Sequence, residues 1–144
     1  MPKSSTSFES FVSPEELRAV VLDVEKYPAF LPEVKKVVVR SRHDDGFLAT
    51  FFVEVKVSSV EVKTEYTVRY TVEPLEVSWR LEESPNMTKN EGKWRFEELK
   101  DGETKAYYEA ELETSLPIAP ELQKMFADNE LPRMMQRFRD RAEA

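Results

Sequence analysis

Between Val34 and Leu116 apolar and polar residues alternate with a period of two, the pattern of strands that bury one face. The alternation is cleanest where Val62, Thr64, Tyr66, Val68, Tyr70 and Val72 share one side and Lys63, Glu65, Thr67, Arg69 and Thr71 the other. The same parity turns Phe47, Ala49, Phe51, Val53, Val55 and Val57 inward, then Leu75, Val77, Trp79 and Leu81, then Thr104, Ala106, Tyr108, Ala110, Leu112 and Thr114. Turn-forming residues separate these runs at His43 to Gly46, Val57 to Val60, Glu73-Pro74, Ser84 to Asn86 and Lys100 to Gly102. Connections this short predict an antiparallel meander. At about 3.3 Å per residue the run from Val62 to Val72 spans roughly 35 Å, and a sheet of that length twists and curls.

Helical periodicity appears on either side of the meander. Ser13-Pro14-Glu15-Glu16 is a helix start: the Ser13 side chain accepts from an orphan N–H, Pro14 suits the first turn, and Glu16 completes a capping box. Leu17, Val20, Val21 and Val24 share one face of the short helix that follows. It is expected to stop near Glu25, because Tyr27 and Leu31 precede prolines and pre-proline residues avoid the α region. An apolar elbow, Tyr27 to Pro32, is left over, and Phe8 to Val12 is expected to add a strand before the helix. After Pro120 the helical period returns, with Leu131, Met134, Met135, Phe138 and Ala142 in one stripe and Arg133, Arg137 and Arg141 behind it. Leu122, Met125 and Phe126 fall about half a turn from that stripe at roughly 100° per residue. Pro132 stands between the two sets, so a kink or break is expected there. Residues 120–130 then form either a movable lid, with Met125 and Phe126 touching a ligand or the elbow, or a static kinked helix.

These elements describe an α+β fold: a strand, two short helices, a curved antiparallel sheet with its polar face in water, and a long C-terminal helix across the concave face. A sheet curled around a helix leaves a hollow. No repeat or low-complexity linker divides the chain, so one domain over 1–144 is expected.

Composition narrows the functions. A chain of 144 residues can bury a real core, and nine Phe, five Tyr and two Trp are too many for a disordered one. A formal charge of −7 weighs against a sequence-blind nucleic-acid binder. No apolar run reaches the roughly 20 residues of a membrane span, and Met1 to Ser7 holds no apolar signal core. The chain therefore reads as unexported and cytoplasmic. The absence of cysteine removes disulfides, thiolate nucleophiles and Cys-built zinc sites, and the single histidine, His43, forbids a His-pair site. Neither metal nor cofactor is expected.

Little classical catalytic chemistry is visible. His43 beside Asp44 and Asp45 reads as a hairpin turn. A Ser or Thr nucleophile would need a base, and no second histidine exists. The triplet Asn86-Met87-Thr88 matches a glycosylation acceptor by chance. Arg133, Arg137, Arg139 and Arg141 either complement the helix dipole or mark a membrane-surface or RNA contact. The informative feature is the inward aromatic and flexible-apolar set: Phe51, Tyr66, Tyr70, Trp79, Trp94, Phe96 and Tyr108 from the sheet, with Met134, Met135 and Phe138 from the helix. Phe30 of the elbow, Val53 and Val68 on the inner parity, and Met125 and Phe126 of the proposed lid complete the candidate ligand-binding residues. Buried Tyr O–H and Trp N–H groups seek partners, and a mostly apolar cavity with a few polar tips is how proteins hold hydrophobic small molecules.

Val12-Ser13-Pro14-Glu15-Glu16-Leu17 and Asp23-Val24-Glu25-Lys26-Tyr27-Pro28-Ala29-Phe30-Leu31-Pro32 resemble the opening of the coenzyme Q-binding START-like proteins and of their relatives known as ribosome-association toxins. Both belong to the polyketide cyclase/dehydrase superfamily. Gly92-Lys93-Trp94-Arg95-Phe96-Glu97-Glu98-Leu99 is similar to the family's later Gly-x-Trp-x-Phe strand, and Phe138-Arg139-Asp140-Arg141-Ala142 to its closing helix. The resemblance implies the helix-grip fold, START/Bet v 1-like, with a ligand cavity between sheet and C-terminal helix. Where the quinone-type proteins often continue Leu-Pro into Trp-Cys, this chain has Glu33-Val34, and Ser84-Pro85-Asn86 stands for their Gly-Pro-Phe. Aromatase/cyclase members carry an arginine on the inner face of the strand resembling Val62 to Val72; here Arg69 has the outward parity, which only a bulge would reverse.

The leading expectation is a non-catalytic carrier or chaperone of a quinone, polyketide or lipid-like molecule. A polyketide cyclase or dehydratase would use Tyr66, Tyr70 or Tyr108 as proton donors. A ribosome- or macromolecule-interaction module would use the Arg133 to Arg141 stripe.

Overall fold

The computed structural model describes residues 3–57, 59–115, 121, 124 and 131–144. In chain order the elements are β1 (Lys3–Ser10), α1 (Pro14–Leu22), a 3-10 helix (Val24–Ala29), β2 (Val34–His43), β3 (Gly46–Val57), β4 (Val60–Glu73), β5 (Glu76–Glu83), β6 (Met87–Glu98), β7 (Thr104–Thr114) and a C-terminal helix, α2 (Leu131–Glu143). The strands form one antiparallel seven-stranded sheet in the order β1-β7-β6-β5-β4-β3-β2. The meander is thus continuous from β2 to β7, and β1 closes onto β7 with Phe8 opposite Ala106.

Local chemistry explains the elements. Ser13 Oγ accepts from Glu16 N at 3.2 Å and donates to the Glu16 carboxylate at 3.1 Å, a reciprocal cap on α1 with Pro14 in its first turn. The helix ends at Leu22, earlier than the expected Glu25, because the Asp23 N–H closes back on Ala19 O and Val20 O. Val24–Ala29 then winds as a 3-10 helix that admits Pro28. In the β6–β7 turn Asp101 and Gly102 take φ of 63° and 77°, the left-handed region that Asp and Gly tolerate.

The inner parity holds through β3, β4 and β7, with Phe47, Ala49, Phe51, Val68, Tyr70, Ala106 and Ala110 all buried. Two expected elements shift. β1 begins at Lys3 and ends at Ser10, so Val12 is buried beyond the strand while Phe11 stands 62 % exposed. Leu75, assigned inward, is 49 % exposed because it lies in the β4–β5 turn rather than in β5. The convex face is also less wet than expected: Thr50 and Thr67 are buried there, sharing a 2.7 Å hydrogen bond, and Arg40 Nε donates to Thr50 at 3.1 Å.

α2 lies across the concave face and buries Leu131, Met135 and Phe138, as its apolar stripe predicts. Pro132 falls at the start of this helix, and the expected kink cannot be followed upstream, since Leu122, Met125, Phe126 and most of 120–130 lie outside the described residues. No helix among the described residues is long and apolar enough to cross a membrane.

Candidate functional site

The concave face is filled at one end and hollow at the other. Under α1 the side chains of Leu17, Val21, Val77, Phe96 and Ala106 form a packed cluster. Toward the β3–β4 and β5–β6 turns, a cavity of about 240 Å³ opens between the sheet, the elbow and α2. Its walls are aromatic. Ring contacts run in a closed circuit from Tyr70 to Trp79 (6.0 Å), Tyr108 (5.7 Å), Trp94 (5.0 Å), Phe138 (5.0 Å), Tyr27 (5.3 Å), Phe51 (5.9 Å) and back to Tyr70 (6.3 Å). Tyr66 stacks on Phe51 at 5.3 Å and extends the circuit toward the mouth. Three of these contacts are edge to face and four are tilted, so each ring is braced by its neighbours around the hollow.

The polar atoms in this apolar shell are few. The Tyr27 hydroxyl donates to Val21 O, which ties the elbow to α1. Burial pushes the Tyr66 phenol up to about 12; the neighbouring Asn90 amide opposes the rise and the Glu33 carboxylate adds to it. Burial likewise raises Tyr27, Tyr70 and Tyr108 above the ordinary phenol value, helped by their mutual proximity. All four are neutral hydrogen-bonding groups over the physiological range. Trp79 Nε1 donates to Asn90 Oδ1 at 3.0 Å. At the rim Glu33 faces Arg137 of α2 at 3.6 Å. Among the described residues no lysine or arginine lines the cavity. Arg69 is on the convex face, its Nε donating to Glu82 at 2.9 Å. The register shift beside it lies between β4 and β5, where β5 takes the extra residue, and leaves Tyr66, Val68 and Tyr70 facing in.

Of the candidate residues, Phe51, Val53, Tyr66, Val68, Tyr70, Trp79, Trp94, Tyr108, Met134 and Phe138 are brought together on the cavity wall. Phe30, Phe96 and Met135 are not among its lining residues. Phe96 stacks behind Trp94 at 6.2 Å. Met135 is buried in the core cluster, and Phe30 sits outside Tyr27 and Phe138 with the Arg141 guanidinium 5.5 Å from its ring. Met125 and Phe126 lie outside the described residues. Tyr27, Leu31, Glu33 and Val34 line the cavity without having been singled out. The apolar elbow was visible in the sequence, but its direction depends on how the 3-10 helix folds back. Asn90 shares the inner parity of Trp94 and Phe96, a signal that was there to be read; Met87 joins it only because the β6–β7 register shifts between Met87 and Lys89.

Other motifs resolve as structural. His43 is exposed in the β2–β3 hairpin, 3.1 Å from Ser41 Oγ. The Asn86 amide donates to Lys63 O at 3.2 Å, so the glycosylation triplet has its nitrogen engaged. Arg139 pairs with Glu143 at 3.3 Å, so with Arg137 on Glu33 and Arg141 over Phe30 much of the arginine stripe is used within the fold.

Residues 12–139 match the family described as polyketide cyclase / dehydrase and lipid transport. The chain belongs to that family. Among solved structures, a START superfamily protein from Mycobacterium smegmatis is 20% identical, with 98% of this chain and 97% of that one covered and a TM-score of 0.80. The Zhui aromatase/cyclase from Streptomyces sp. R1128 is 16% identical over 99% of this chain and 93% of its own, with a TM-score of 0.81. The di-domain aromatase/cyclase StfQ of the steffimycin biosynthetic pathway is 18% identical over 99% of this chain and 44% of its own, with a TM-score of 0.71. At these identities the likeness is one of fold, the START/Bet v 1 helix grip. No curated protein matches.

Proposed function

We propose that the chain is a cytoplasmic carrier or chaperone for a hydrophobic small molecule, of quinone, polyketide or lipid-like character, held in the cavity between sheet and α2. The observation that carries this reading is the aromatic circuit around a hollow of about 240 Å³, close to the roughly 300–1,000 Å³ range of small-molecule sites. Most of its polar groups are neutral phenols, hydroxyls, an amide and an indole, which orient a ligand, and the Glu33 carboxylate is paired with Arg137 at the rim. Organic extraction of the purified protein followed by mass spectrometry tests the reading: a bound apolar compound at near-stoichiometric yield supports it. A protein that yields none, and does not enhance the fluorescence of an added apolar dye, overturns it.

A second reading, cyclase or dehydratase action, is favoured by the mutual proximity of the Tyr27, Tyr66, Tyr70 and Tyr108 hydroxyls. A phenol held neutral can deliver a proton to a folded polyketone chain while the cavity orients it. Under this reading Tyr66→Phe, Tyr70→Phe or Tyr108→Phe abolishes turnover of such a chain while the thermal midpoint stays put; retained turnover in all of them removes it.

A further inference from the structure

The polar pole of the cavity is built around one amide. Asn90 lies on the inner face of β6 with only 5 % of its surface exposed. An indole N–H can donate but never accept, so the 3.0 Å contact from Trp79 Nε1 commits the Asn90 oxygen and fixes which way the amide faces. Trp79 is itself held in place by Gly92: a Cβ there would meet Trp79 Cζ2 at 2.8 Å and the Glu109 carbonyl oxygen at 2.2 Å. The ring therefore crosses β6 only because residue 92 has no side chain. β5 and β6 pair from Glu76–Trp79 to Gly92–Arg95 and then diverge, which gives Trp79 and Asn90 room to meet at the fork.

With its oxygen occupied, the amide has two N–H bonds left. Nδ2 meets the Met87 thioether at 3.9 Å, a weak acceptor, and lies beside the Tyr66 hydroxyl on the cavity wall. The N–H groups of this buried amide are thus met by a thioether and a phenol, and a carbonyl oxygen is a stronger acceptor than the thioether. Around it, among the described lining residues, stand neutral phenols and the Glu33 carboxylate, which Arg137 pairs at the rim at 3.6 Å, so the lining itself offers an anionic ligand no opposite charge.

We infer that Asn90 is the specificity-determining donor of the cavity, its Nδ2 turned by Trp79 toward an accepting oxygen, such as a carbonyl, on an uncharged ligand. This rests on the cavity being a ligand site and adds which ligand atom is read, and by what.

The test compares 9-fluorenone with fluorene, which share a tricyclic frame and differ by one carbonyl oxygen, on the intact protein and on Asn90→Leu, by calorimetric titration. Asn90→Leu keeps the side-chain shape and removes the donor. It is expected to weaken fluorenone binding about tenfold, the worth of one hydrogen bond, and fluorene by less than about twofold. Should Asn90→Leu fail to fold, the wild-type side-chain amide resonances of Asn90 give the same reading: they shift on adding fluorenone and stay in place with fluorene. If both compounds bind but lose affinity equally in Asn90→Leu, or leave the amide resonances equally unmoved, Asn90 does not read the ligand while the cavity remains a binding site. If neither compound binds the wild type, the ligand-site reading fails together with the inference.

Discussion

At the end of the sheet beneath α1, Leu17, Val21, Val77, Phe96 and Ala106 are packed until almost none of their surface remains. At the other end Tyr66, Trp79 and Tyr108, facing the same way from the same sheet, stand around a hollow and keep part of their surface within it. Strand β6 runs through both regions: Phe96 is filled in on all sides, Trp94 belongs to the packed core and also lines the cavity, and Asn90 stands on the cavity wall. Inward parity is therefore a statement about direction and not about filling. Filling depends on what arrives from outside the sheet. A short helix with branched aliphatic residues presses into one end, while an elbow of rings and the edge of α2 bridge over the other.

The contrast breaks first if large side chains are removed from each end. Phe96→Ala opens a void where neighbours are locked, and a loss of about 3–5 kcal/mol in denaturant stability is expected. Trp94→Ala falls in the same range, because Trp94 is 2 % exposed and touches Phe8, Phe96, Tyr108 and Phe138. Tyr66→Ala enlarges a space that already exists and forfeits the stacking on Phe51, so about 2 kcal/mol or less is expected. Equal losses at Phe96 and Tyr66 would mean that the cavity end is as tightly packed as the other.

Alkaline titration probes the hollow end by charge instead of volume. The folded pKa of Tyr66 is raised to about 12 from an ordinary 10.0. The unfolded chain therefore releases this proton first. Stability is unaffected below about pH 10, then falls by about 1.4 kcal/mol for each pH unit that Tyr66 alone contributes until pH approaches 12. Tyr27, Tyr70 and Tyr108 are shifted in the same direction and steepen the fall. Ultraviolet titration of phenolate against circular dichroism checks it: the buried tyrosines should ionise together with unfolding. Ionisation of all tyrosines near pH 10 with the fold intact would mean that water fills the cavity freely.

How far the sequence went follows from the same contrast. Period-two patterning located β3, β4 and β7 and their inward residues because each strand has one buried face, and the Ser13 to Glu16 cap located α1 because its hydrogen bonds are local. Phe30 and Phe96 were read as cavity walls because they share a face or a segment with residues that are. Whether a ring meets a ligand or another ring is decided by contacts across the fold, such as Phe96 behind Trp94, that no local period encodes. Glu33 and Tyr27 were missed for the converse reason: Tyr27 begins the elbow and Glu33 follows it, and the elbow's course is set by the 3-10 turn and the Tyr27 to Val21 hydrogen bond.

Gly92→Ala sharpens the comparison at the boundary between the two ends. The added methyl would meet the Glu109 carbonyl oxygen and the Trp79 ring, so strand or ring must move. An overpacking cost of about 1–3 kcal/mol is expected. Because Trp79 moves away from Asn90, the tryptophan fluorescence should also shift, which a uniform destabilisation would not produce.

Tyr108→Phe is expected to have the smallest effect on stability and is the most direct test of the hollow. The Tyr108 ring is held by Trp79 at 5.7 Å and Trp94 at 5.0 Å, and phenylalanine keeps both contacts. Its hydroxyl has no hydrogen-bond partner among the described residues and sits on the cavity wall. Removing an oxygen that faces a space rather than a partner leaves nothing unpaired behind it, so the change should be within about 0.5 kcal/mol. A loss beyond about 1.5 kcal/mol would instead reveal a partner held across the cavity, and the end described as hollow would then be braced by a polar contact through its middle.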